Sequence, residues 1–209
     1  YNFLKSDTTL DNNILNGTKT LVLNGGNSNK VIVTCTKDKK LTLVMIDSNT
    51  KGVSINSFKT IDDQSCAEIS FENVEIDDDA IIASDSEAIQ LINETINLAT
   101  LCVSAEAVGC MELCYLKTVE YTKGREQFGQ PISNFQVLQH RMVDMFVESE
   151  LAKSLLFKAM LEVDSNSEDK YKHVSALKSQ IGRSGKSSAQ DAVQLHGGMG
   201  VSEEMMIGH

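Results

Sequence analysis

Gly124-Arg125-Glu126-Gln127-Phe128-Gly129-Gln130-Pro131 interrupts a long helical pattern, and Gln194-Leu195-His196-Gly197-Gly198-Met199-Gly200 closes another. Two glycines and a proline so close together do not sit inside a continuing helix, so the first stretch reads as a non-helical joint between two helices. The second reads as a helix end, since Gly-Gly follows the last apolar-periodic residues. Each also carries chemistry. An arginine holds a pyrophosphate through paired, charge-assisted hydrogen bonds. A Gly-Gly pair lets the main chain approach a nucleotide with no Cβ in the way. Taken singly, each stretch has a plainer reading: a solvated Arg in a connection, and a C-cap. Their occurrence together, in this order and between long helical patterns, is the informative feature of the chain.

Outward from these stretches the period is helical. Ser84-Asp85-Ser86-Glu87 supplies N-cap candidates and a first-turn acid, and the pattern predicts helices over 84–123, 133–163 and 169–196. Phe135, Leu138, Met142, Met145, Phe146 and Leu151 are expected on one face of the second. Asp164 to Glu168 reads as a solvated loop. In the third helix Ser179, Gly182, Ser184, Gly185, Ser187 and Ser188 are small enough to admit a close neighbour. Residues 1–82 read differently. Runs at 20–23, 30–36, 41–46 and 67–71 are rich in Val, Ile, Leu and Thr. Turn clusters separate them at Asn16-Gly17, Asn24-Gly25-Gly26-Asn27, 37–40 and 49–52. Gly25-Gly26 has no helix after it, so it reads as a hairpin turn and not a phosphate loop. The expectation is an α+β chain: an antiparallel β domain over 1–82 and an up-and-down helical bundle over 83–209.

Composition narrows the function classes. With 41% hydrophobic and 23% charged residues, the chain has the make-up of an ordinary globular protein. A net charge of −10 argues against a nucleic-acid surface, which needs a basic face. No uninterrupted apolar run approaches the length of a membrane span, and no signal segment opens the chain, so a cytoplasmic or organelle-matrix location is expected over secretion. Cys35, Cys66, Cys102, Cys110 and Cys114 form no C-x-x-C pair and read as reduced thiols. Cys110 and Cys114, one helical turn apart with no His beside them, are expected to be buried helix thiols, and no metal site is expected. His140 and His173 read as structural residues without partners. The opening Tyr1-Asn2-Phe3, with no initiator Met, reads as the start of a piece of something longer.

The two quoted stretches, with Phe135-Gln136, Met142-Val143-Asp144-Met145, Glu150-Leu151-Ala152, Asn16-Gly17-Thr18-Lys19 and Phe71-Glu72-Asn73-Val74, resemble the C-terminal half of the acyl-CoA dehydrogenase family. Nearly the whole chain takes part. The resemblance implies an FAD-dependent oxidoreductase of fatty acid metabolism, acting on an acyl-CoA thioester. It implies that Arg125 binds the FAD pyrophosphate with Gln127 and Phe128 beside it. Phe135 and Gln136 would lie near the adenine half, and Gln194, Gly197 and Gly198 would receive the adenosine portion. In this family these groups reach the flavin of a neighbouring subunit. A homodimer or homotetramer, or a heteromer, is therefore implied, with electron-transfer flavoprotein as redox partner. His196 is expected to be a helix-end residue and not a catalyst, its ring offering a cation to the C-terminal dipole.

Departures from the family pattern bear on catalysis. The family removes an α-proton with a carboxylate while the β-hydrogen leaves as hydride. That base is usually a Glu well beyond the Gly-Gly-x-Gly segment, expected here past His209 or in a partner chain. The other family position for it reads Ala99, and the Asp and Arg that accompany it read Asn97 and Thr100. Glu203 and Glu204 fall too early and read as solvated acids. Val201 stands where many relatives have an aromatic residue. The residues upstream of this half supply most isoalloxazine contacts in relatives, so the chain alone is expected to be inactive. Three alternatives stand beside the dehydrogenase: a half-site subunit completing a flavin pocket in a heteromer, a flavin monooxygenase of the same fold, and an unrelated helical interaction module.

Overall fold

The computed structural model describes residues 6–208; the β reading of residues 1–5, the opening Tyr1-Asn2-Phe3 and His209 lie outside the described residues. By internal contacts the chain divides into two compact units, one running through Glu94 and one from Thr95 onward.

Among the described residues the first unit is built on seven strands: β1 (Thr9–Asp11), β2 (Ile14–Leu23), β3 (Lys30–Lys37), β4 (Lys40–Asp47), β5 (Val53–Lys59), β6 (Ser65–Glu75) and β7 (Ile81–Ser84). They form one sheet in the order β5-β6-β2-β1-β3-β4-β7. Every pairing is antiparallel except β1 with β3, which run parallel at Thr9 and Thr36. Alternation places Leu10, Leu15, Val33, Val44, Ile69, Phe71 and Val74 in one core, each 3% exposed or less. The hairpins close on residues that tolerate positive φ: Asn12-Asn13 joins β1 to β2, and Asp38-Lys39 joins β3 to β4.

Two turn readings are corrected. Asn16-Gly17 lies inside β2, where Gly17 (φ 140) marks a break in register with β6. A Cβ there would sit 2.7 Å from Thr8 Cα, so glycine is required by packing as well as by φ. Gly25-Gly26 does not turn a hairpin. It forms a short 3-10 turn leading from β2 to β3, and β1 lies between those strands in the sheet. Strands β1, β5 and β7 lie outside the predicted runs, although Val53-Ser54-Ile55-Asn56 alternates as a half-buried strand does.

Three helices follow: α1 (Ser86–Gly124), α2 (Gln136–Asp164) and α3 (Lys170–His196). The first turn of α1 belongs with the sheet. Asp85 accepts the Ile89 N–H, its carboxylate meets Lys40 at 3.2 Å, and Ala88 packs on Leu41, Leu43 and Ala83. In the second unit α2 and α3 are the closest pair, with α1 against them. Buried positions step alternately by three and four residues. They run Ser104, Val108 and Met111, then a full seven residues on to Thr118, on α1; Met142, Met145, Ser149, Ala152, Leu156 and Ala159 on α2; and Val174, Leu177, Ile181, Ser184 and Ser188 on α3.

That stepping corrects the predicted face of α2. Phe146 and Leu151 turn outward, at 44% and 51% exposure, because they lie off the seam; the Phe146 ring instead meets Tyr115 with centroids 5.4 Å apart. In α3 Ser184, Ser188 and Gly185 face neighbours, but Ser179, Gly182 and Ser187 are exposed. Cys110 is exposed and Cys114 half-buried, so the pair is not a buried one. His173 does have a partner: its Nε2 lies 3.8 Å from Glu162, which also meets Lys158 at 2.5 Å. By length and composition α1 is apolar enough to cross a membrane; scattered acids such as Glu106 and Glu112 hide this from a count of uninterrupted runs. Its inward face packs on α2 and α3, as a bundle helix does.

Candidate functional site

The joint after α1 folds as a miniature hairpin. Arg125 N–H donates to Tyr121 O at 2.9 Å and Ile132 N–H to Arg125 O at 2.8 Å, fixing the Arg125 main chain at the helix exit. Two-residue strands β8 (Glu126–Gln127) and β9 (Gln130–Pro131) pair across Phe128 (φ 57) and Gly129 (φ 78). Both turn residues have positive φ, the geometry of a primed hairpin turn. Asn or Gly ordinarily fills the first such position; a phenylalanine there is strained. It leaves the Phe128 ring 90% exposed, edge-on to Phe135 at 6.0 Å. Phe135 then caps α2, its carbonyl accepting the N–H groups of Leu138 and Gln139.

The end of α3 supplies the other side. His196 is the last helical residue, and Gly197 leaves at φ 60, with its N–H on Gln194 O. Gly200 is buried: a Cβ there would lie 2.4 Å from Val193 O. At Gly198 a Cβ would meet nothing within 4 Å, so its backbone borders open space.

These two ends converge. Arg125, Gln127, Gln194, Gly197 and Gly198 line one cleft of about 440 Å³, together with Tyr121, Ile132, Leu138, His196 and Met199. An open groove of about 720 Å³, bordered by Gln190, Val193, Gln194, Gly197, Gly198 and Val201, adjoins it. Five of the eight predicted site residues thus meet. Phe128 and Phe135 pair with each other instead, and Gln136 is exposed at the start of α2, none of the three lining the cleft. Tyr121 and Leu138 were missed. The one available signal was spacing: Tyr121 stands one helical turn before Arg125.

The donor set suits a dinucleotide. Among the described residues the Arg125 guanidinium is in no ion pair. The Gln127 side-chain amide donates locally, to Glu126 O at 2.7 Å. A cation, two amides and a Cβ-free backbone at one cleft match pyrophosphate and adenosine chemistry. Catalytic groups are another matter. Ala99 is exposed, Asn97 and Thr100 are half-buried, and the Thr100 hydroxyl donates to Ile96 O at 2.7 Å within its own helix. Glu203 and Glu204 are both exposed.

The two glycines give a test of this geometry. Gly200→Ala should lower stability by about 1–3 kcal/mol, because the added methyl meets main chain. Gly198→Val should leave apoprotein melting near wild type and impair nucleotide binding. Equal melting temperatures for Gly200→Ala and wild type would contradict the described turn.

The fold and cleft define a class: a β unit followed by a helical bundle, with a cleft where α1 and α3 end. Residues 89–209 match the family model described as acyl-CoA dehydrogenase, C-terminal domain, and the chain belongs to the acyl-CoA dehydrogenase family. It is 29% identical over 205 residues to the 3-(aryl)acrylate reductase of Clostridium sporogenes, covering 93% of this chain and 53% of that one. It is 28% identical over 203 residues to the short-chain specific acyl-CoA dehydrogenase of Megasphaera elsdenii, covering 92% and 52%. The solved butyryl-CoA dehydrogenase of Megasphaera elsdenii superposes with a TM-score of 0.88 at 25% identity, over 96% of this chain and 55% of that one. The chain therefore spans about half the length of the relatives it matches.

Proposed function

We propose that this chain carries the subunit-contact half of the flavin site of an FAD-dependent acyl-CoA dehydrogenase, catalysing α,β-dehydrogenation of an acyl-CoA thioester. The supporting observation is the convergence of Arg125 and Gln127 with Gln194, Gly197 and Gly198 on one cleft. Arg125 would hold the pyrophosphate bidentately, and the exposed Gly197-Gly198 backbone would border the adenosine. Phe128, Phe135 and Gln136 would flank the ligand from the joint. When bound, FAD supplies the acceptor for the hydride leaving the β-carbon.

In this reading residues 1–82 are the C-terminal part of a middle β domain and 83–209 the helical domain. The flavin lies between this chain and a second copy, or a homologous subunit, and electron-transfer flavoprotein reoxidises it, in the cytoplasm or an organelle matrix. Exposed Val143, Phe146, Val147 and Leu151 on α2 offer an apolar face for such a copy. Light scattering of the intact protein is expected to show a dimer or larger; a clean monomer would remove this part.

Neither Glu203 nor Glu204 is the base in this reading. In the intact protein, single-turnover bleaching of the flavin by a panel of acyl-CoA thioesters is expected to survive Glu203→Gln with Glu204→Gln. Loss of bleaching in a double variant that still binds FAD and thioester would place the base here. The absence of any acid at Ala99, Asn97 or Thr100 favours a second reading, a half-site subunit of a heteromer. FAD bound without bleaching by any thioester, until a homologous subunit is added, would select it.

A further inference from the structure

Among the described residues, Tyr121 and His196 form the one contact that joins the two ends bordering the cleft through both a ring stack and a hydrogen bond. Their rings stack at a centroid distance of 4.2 Å and an interplanar angle of 24°. The Tyr121 hydroxyl donates to His196 O at 3.3 Å. That carbonyl belongs to the last turn of α3, whose carbonyls have no partner within the helix. The imidazole is itself fixed: His196 is 3% exposed, and its Nδ1 lies 2.8 Å from Ala192 O. A carbonyl only accepts, so Nδ1 carries the proton and the ring cannot turn without losing the bond. On the other side, Tyr121 O receives the Arg125 N–H. A continuous path of contacts thus runs from the Arg125 main chain, through Tyr121 and His196, to Gly197.

We infer that Tyr121 and His196 are positioning residues, a clasp that sets Arg125 and the Gly197-Gly198 backbone at the spacing a dinucleotide pyrophosphate needs. The inference rests on the proposed flavin reading of the cleft. Its physical basis is preorganisation: groups on two helix ends bind one ligand well only if their separation is fixed before it arrives. Stack and hydrogen bond act on different atoms, so they can be removed separately. Tyr121→Phe deletes the hydroxyl and keeps the ring; Tyr121→Leu deletes both; His196→Phe keeps a stacking ring and loses the Nδ1 bond.

The test uses the intact apoprotein, titrated with FAD, together with amide hydrogen exchange in the absence of FAD; Arg125→Ala runs in parallel. Tyr121→Leu is expected to weaken FAD binding about three- to tenfold, the range of an aromatic pair. Tyr121→Phe should recover most of that loss. In Tyr121→Leu, exchange should quicken together at 125–129 and 197–200 while amides around Leu177 and Ile181 keep wild-type rates; a pair that only stabilises the core would instead quicken all of them. Wild-type FAD affinity in Tyr121→Leu, with Arg125→Ala weakened, overturns the clasp and leaves the flavin reading standing. Uniformly faster exchange overturns it as well. If Arg125→Ala binds FAD normally, the flavin reading fails, and the paired quickening at the two segments alone decides whether the clasp exists.

Discussion

Arg125→Ala is expected to strip the intact protein of most of its FAD. Deleting a charge-assisted, two-pronged contact to a diphosphate removes about 1.5–3 kcal/mol, which is roughly a 10- to 150-fold loss in affinity. Arg125 suits the role because its main chain is pinned by Tyr121 O and Ile132 N–H, while the guanidinium, among the described residues, has no carboxylate to release first. Little of the loss should come from folding: the side chain is exposed, and apoprotein melting should stay near wild type. Lys at this position should recover only part of the affinity, since an ammonium is a point charge and not a fork. The measurement is flavin absorbance per polypeptide after gel filtration, backed by titration. Wild-type flavin content in Arg125→Ala would reduce Arg125 to a residue of the helix joint.

Leu177→Ala should produce the largest loss of stability, about 2–5 kcal/mol, through the removed burial and the cavity left behind. Leu177 is 0% exposed and belongs to the cluster in which Val108 and Met111 of α1, Ala152 and Leu156 of α2, and Ile181 of α3 meet. The alanines at 152 and 159 already bring α2 close, which leaves few atoms free to collapse into the void. Leu161→Ala, at a position 68% exposed, is the control and should change stability by no more than about 0.5 kcal/mol. Urea unfolding of the flavin-free protein, followed by helical signal, measures both. Similar midpoints for the two variants would show that the bundle's seam has been placed on the wrong face.

Much of the helical unit was legible because its signals are local. The bounds of α2 and α3 fall within a few residues of those predicted, since Pro131, the Asp164 to Glu168 cluster and Gly197-Gly198 punctuate the chain where the helices end. The phase of α2 was less so. Phe146 and Leu151 are as apolar as Met145 and Leu156, and only the positions of α1 and α3 decide which of them are covered. The same limit applied to the sheet. Asn24-Gly25-Gly26-Asn27 has the composition of a hairpin turn, yet β1 takes the place beside β2 and turns it into a crossover.

The sequence by itself determined the change from strand to helix period, the broken joint at Arg125 and the glycine end of α3, because each depends on the conformational preferences of a few adjacent residues. It also carried the family resemblance that named five of the cleft residues. The tertiary structure decided which predicted residues meet. Phe128 and Phe135 turned to each other, Gln136 stayed outside, and Tyr121 and the fixed ring of His196 entered the site. Tyr121 and His196 lie far apart in sequence, and neither composition nor periodicity encodes their meeting. It follows from how three helices pack, where side-chain volume and burial select one arrangement from many that local preference allows.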